Sequence, residues 1–139
     1  MMIKSIFFSQ RIDPQHGEQF SYDLDFQKTR DDDDDLALEF LPDLLRQNVD
    51  DETLWLMILV QRGRLDKFDD WGGDTCWLNI RKPICEIEHE YLPKDRKARV
   101  YLTDLIEMTA LWLDTRSKAI KLRNLKNRDY LFDSYGFPK

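Results

Sequence analysis

The sequence predicts an α+β fold: an antiparallel sheet of about four to six strands, a long C-terminal helix and one or two shorter helices. Three observations predict it. Residues Phe20 to Gln27 alternate between apolar and polar side chains, the period of a half-buried strand. From Thr103 to about Leu125, apolar residues recur at helical spacing behind a Thr-Asp start. Between these segments lie short apolar runs, punctuated by Gly, Pro and Asp. The 139 residues, 42% of them apolar and 12% aromatic, read as one domain over 1–139 with enough material for a core, despite 35% charged residues.

Ile3 to Ser9, rich in β-branched and aromatic residues, reads as the first strand. Asp13-Pro14-Gln15-His16-Gly17 has the composition of a turn. The next strand then turns Phe20, Tyr22, Leu24 and Phe26 inward, with Phe8 across from Tyr22 and Ile6 across from Leu24. Leu36 to Pro42 reads either as a third strand, with Leu36, Leu38 and Phe40 inward, or as a helix capped by the aspartates and broken by Pro42. Pro42 also suits the first turn of a short helix reaching Asn48, with Leu44 and Leu45 buried. Asp50-Asp51-Glu52-Thr53 before the apolar run Leu54 to Val60 favours a helix there, although so short a run also suits a central strand.

Gly63 and the stretch Asp69-Asp70-Trp71-Gly72-Gly73-Asp74 predict a long acidic loop. Two strands follow. Cys76, Leu78 and Ile80 share a face of the first. In the second, Cys85, Ile87, His89 and Tyr91 oppose Ile84, Glu86, Glu88 and Glu90. Arg81-Lys82-Pro83 turns between them, and Leu92 to Lys97 is a charged connector. The last helix, N-capped by Thr103, buries Leu105, Ile106, Met108, Trp112, Leu113, Ala119, Ile120 and Leu122. Arg116, Lys118, Lys121, Arg123 and Lys126 complement its C-terminal dipole. The aromatic tail Tyr130 to Pro138 is expected to pack down.

Charge is unevenly distributed. Residues 1–93 carry 10 Lys+Arg against 21 Asp+Glu, a net of −11, and residues 94–139 carry 11 against 6, a net of +5. The acidic part repels nucleic acid and favours basic proteins. Five consecutive carboxylates, Asp31, Asp32, Asp33, Asp34 and Asp35, must stay hydrated or meet dense positive charge. They read as a solvated loop that also caps the next element, and as a candidate docking surface together with Asp69, Asp70, Trp71 and Asp74. Trp71 is balanced between core and interface anchor, whereas Trp77 is expected in the core.

Catalytic and metal patterns are missing from the sequence. Cys76, Cys85 and His89 match no common zinc spacing and all lie on the face expected to be buried. The aspartates fit no EF-hand register. There is no Gly-x-Ser-x-Gly elbow, phosphate loop or dinucleotide fingerprint, and only His16 and His89 offer imidazole. The expectation is a non-enzymatic chain with no cofactor and no metal. The longest apolar run, seven residues, is too short to span a membrane, and the opening Met-Met-Ile-Lys-Ser-Ile-Phe-Phe lacks signal-peptide features, so a cytoplasmic location is expected.

The plan of the acidic segment Asp69-Asp70-Trp71-Gly72-Gly73-Asp74, a hairpin, then Thr103-Asp-Leu-Ile-Glu-Met-Thr-Ala-Leu-Trp112 resembles bacterial immunity proteins against contact-dependent growth-inhibition or polymorphic toxins. The resemblance implies a small protein that binds a cognate basic toxin domain, often a nuclease, at or near its active site. Two other readings stand beside it: an acidic DNA mimic that inhibits a DNA-processing enzyme, and a nucleic-acid-binding regulator using the basic C-terminal helix.

Overall fold

The computed structural model describes residues 3–123 apart from Pro14, His16 and Asp74, with the backbone alone for 4–13, 17–23, Asn48 and 118–123. Strands β1 (Ile3–Asp13) and β2 (Gly17–Phe26) form an antiparallel hairpin in the register the alternation predicts, Ile6 against Leu24 and Phe8 against Tyr22. The hairpin is a sheet of its own; Ile3 is buried in the core, and Leu24 and Phe26 pack against it.

Helix α1 (Asp35–Asn48) runs unbroken through Pro42, so neither the strand nor the two-piece reading of this segment holds. Proline supplies no N–H to the Leu38 carbonyl, a loss of roughly 3 kcal/mol in a helix interior. Against that, Ala37, Phe40, Leu41, Leu44 and Leu45 form a buried stripe at helical spacing, and each large side chain buried is worth about 2 kcal/mol. Helix α2 (Asp51–Gln61) starts at a capping box: the Asp50 carboxylate accepts from the Thr53 N–H, and the Thr53 hydroxyl accepts from the Asp50 N–H. The Thr53 N–H, chief among its partners, holds Asp50 below the usual carboxylate value of 3.8.

Four strands, β3 (Phe68–Gly72), β4 (Cys76–Ile80), β5 (Ile84–His89) and β6 (Ala98–Tyr101), then form an antiparallel sheet in sequence order. Two of them depart from expectation. β3 occupies much of the stretch read as loop, because antiparallel pairing with β4 outweighs the poor strand propensity of Asp and Gly. β6 follows the charged connector directly and has too few residues to show a pattern of its own. Helix α3 (Leu102–Arg123) continues from β6 without a loop, so Thr103 is an exposed residue within its first turn and does not cap it.

Helix α1 packs against all four strands of this sheet; α2 packs on α3 and β4, and α3 also touches β6. Cys76, Leu78, Ile80, Cys85, Ile87, His89, Ala98 and Val100 are buried. Tyr91, expected on that side, is 79% exposed because β5 ends at His89. Leu105, Met108 and Trp112 of α3 are buried as predicted, with Ile106 and Leu113 half-buried. Ala119, Ile120, Leu122, Lys126 and the aromatic tail lie outside the described side chains or residues.

Candidate functional site

The aspartate run leaves β2 and wraps along the edge strand β6. Asp33, buried, accepts with Oδ2 from the Thr29 N–H at 2.7 Å and the Arg30 N–H at 2.8 Å, which closes the loop on itself. Asp34 caps α1, accepting from the Leu36 N–H at 3.0 Å. The same carboxylate receives Arg96 Nη2 at 3.2 and 3.3 Å and the Arg99 backbone N–H at 3.1 Å. It thereby satisfies a donor on an edge strand. Asp32 accepts from the Tyr101 hydroxyl, and that hydrogen bond, ahead of burial, raises the Tyr101 pKa. The Arg30 guanidinium lies 4.3 Å over the Tyr101 ring and forms an ion pair, Nε to Oδ2 at 3.4 Å, with the buried Asp104 of α3. That contact lacks hydrogen-bond geometry.

The run is therefore divided. Asp33 and Asp34 are turned inward to their own chain. Asp35 pairs with Lys28 at 2.9 Å while 80% exposed, and Asp31 faces water. A cleft of about 360 Å³ opens beside the run, with Asp32, Asp34, Arg96, Arg99 and Tyr101 among its walls. Both signs of charge line it.

The second acidic segment lies on the opposite edge of the sheet, three strand spacings or about 14 Å away. The two candidate segments are not brought together. Asp69 pairs with Arg81 at 3.1 Å and Lys67 at 3.4 Å; burial opposes its ionisation, but these cations outweigh it and lower its pKa. Arg81 continues to Glu86 at 2.8 Å on β5. Asp70 sits at φ 60°, where the strand register shifts, and its N–H donates to Asn79 Oδ1 at 3.0 Å. Asp74 lies outside the described residues.

Trp71, balanced between core and interface, falls to the core, and Trp77 departs from the core position expected of it. Trp71 pairs with Leu78 and packs on the core, while Trp77, between the inward Cys76 and Leu78, turns to the other face. There Gly72 leaves room for its ring: a Cβ at Gly72 would meet Trp77 Cδ1 at 2.3 Å. The exposed tryptophan is Trp55 on α2, at 60%, which a uniformly apolar run had concealed.

Among the described residues, the one imidazole and both thiols are tied up. His89 stacks on Phe40 with ring centroids 4.4 Å apart; its Nε2 meets Asp43 Oδ2 at 3.0 Å, and its Nδ1 accepts from the Tyr91 N–H at 3.2 Å. Both ring nitrogens are thus engaged within the chain, and neither is open to a substrate. Burial pushes the Cys76 thiol up to about 12 and the Cys85 thiol to about 11, so neither holds appreciable thiolate at neutral pH. Among the described residues, no three His, Cys, Asp or Glu side chains are grouped to hold a metal ion, and no helix is long and apolar enough to cross a membrane. In comparisons with known proteins, the chain matches no family model, no curated protein and no solved structure.

Proposed function

We propose that this chain is a non-enzymatic protein-binding module of the cytoplasm, an immunity protein that binds and neutralises a cationic bacterial toxin domain, a nuclease. One observation carries the reading: the described imidazole and both thiols are locked in the interior, while carboxylates at Asp31, Asp35 and Asp70 remain at the surface. Such a surface speeds encounter with a basic partner and excludes nucleic acid. Asp31, Asp32 and Asp35 at one sheet edge, with Asp69 and Asp70 at the other, are candidate contacts, and Asp74 is a further candidate on its sequence alone. Asp33 and Asp34 support the loop that presents the first group. Trp71 contributes through the fold of its strand.

The test is capture of partners from a lysate of the source organism and its relatives, followed by assay of the captured protein. Recovery of one basic domain at near-equal stoichiometry, whose nuclease activity is suppressed by added protein, is the expected result. Replacing Asp31, Asp35 and Asp70 together by Asn should then slow association and flatten its salt dependence. Recovery of a host DNA-processing enzyme would replace this reading with DNA mimicry.

A further inference from the structure

Helix α2 buries Thr53, Leu56, Met57 and Val60 on one side. Its opposite side runs Asp51, Trp55, Ile58, Arg62, the i, i+4, i+7, i+11 spacing that aligns side chains along one line of a helix. Arg62, the C-cap, keeps helical backbone angles and so continues that line. Asp51 and Arg62 are exposed, Ile58 is half-buried and Trp55 keeps 60% of its surface in water. Among the described residues neither Asp51 nor Arg62 meets an oppositely charged side chain. On one helix the two lie about 16 Å apart, too far to pair with each other.

We propose that this face docks a second copy of the chain, α2 against α2, antiparallel about a two-fold axis. Reversing the order acid, indole, aliphatic, base produces its own complement, which an isologous interface requires. Asp51 of one copy meets Arg62 of the other, and Trp55 of each lies against Ile58 of the other. Glu52 and Leu59 flank this line on one side and Leu54 and Gln61 on the other, and about the two-fold axis each flank meets the same flank of the second copy. A parallel pairing would set Asp51 against Asp51. A basic protein would satisfy Asp51 but press on Arg62 with like charge. A helix pair of this length buries less than the ~1,600 Å² of a standard interface, so dissociation is expected on the order of tens of micromolar. The inference stands independently of the toxin-binding reading and requires any such partner to use another face.

Sedimentation equilibrium of the full chain at low salt tests it. Between about 5 and 500 µM the average mass should rise from 16.8 kDa toward twice that value. Trp55→Glu should weaken self-association by roughly 100-fold, and Trp55→Ala by roughly 10-fold. Asp51→Arg alone and Arg62→Asp alone should each weaken it about 10-fold, since each sets like charges together. An equimolar mixture of these two single variants should associate better than either alone, because the mixed dimer restores both opposite-charge contacts. That comparison uses proteins whose folding is verified separately by circular dichroism. A constant 16.8 kDa mass, the result expected if residues 124–139 or a different protein cover Trp55, would overturn the proposal. So would a mixture no tighter than its components.

Discussion

The two edges of the four-stranded sheet are both acidic, and they are closed in opposite ways. At β6 the aspartates arrive from outside: Asp34 accepts the Arg99 N–H, and Asp32 accepts the Tyr101 hydroxyl. At β3 the aspartates belong to the edge strand itself. Asp70 bends it at φ 60°, and Asp69 is held sideways by Arg81. Exposed edges invite pairing with another chain, and a charged bulge or a covering loop each discourages it. A clump of carboxylates in a sequence thus marks charge that needs compensation, without saying whether the chain or a partner supplies it.

If the first edge depends on one aspartate, Asp34→Ala should be the most costly change, about 3 kcal/mol from loss of the α1 cap and two charge-assisted contacts. A shift of the urea midpoint at constant slope measures it. At the second edge, Gly72→Ala should cost about 2 kcal/mol by forcing Trp77 from its place, visible as altered tryptophan emission with a lower midpoint. Equal stability of Gly72→Ala and wild type would mean that the ring is not seated there.

Asp50 provides a reference aspartate outside both edges. Asp50→Ala should cost about 1 kcal/mol. Its folded pKa is lowered, so its contribution is fully present above the unfolded value of about 3.8 and is lost as pH falls through the lower folded value. Asp50→Asn should keep much of the cap and remove this part of the acid dependence between pH 5 and 2, as thermal melts across that range would reveal. The smallest effects are expected at Asp31 and Asp35, under about 0.5 kcal/mol each on replacement by Asn. A large loss at Asp31 would erase the distinction between the inward and outward members of the run.

Much of the architecture was legible because side-chain period reports directly on burial. The hairpin register followed from the alternation at Phe20 to Phe26, and the burial of Cys76, Leu78, Cys85 and Ile87 from the same rule. The failures have physical causes. Pro42 signals a break locally, but the stripe from Ala37 to Leu45 is paid back only in tertiary packing. Asp69 to Gly72 has the composition of a loop and becomes a strand through its neighbour. The site was less legible than the fold. Asp33 is held by its own loop, but the engagement of Asp34 and Asp32 depends on Arg96, Arg99 and Tyr101, more than 60 positions later. Trp55 was hidden because α2 is apolar almost all round.

The contact between Asp34 and Arg99 joins positions 65 residues apart. While the chain is being synthesised, the aspartate run emerges well before Arg96, Arg99 and Tyr101 exist to receive it. Closing so long a loop is slow relative to forming local helices. The run therefore remains a focus of mutual repulsion until β6 joins the sheet, and its discharge is a late event in folding. A fragment ending before Arg96 would retain the α1 sequence but not the clasp at its start, and the missing contacts would appear as fraying at Asp35 and Leu36.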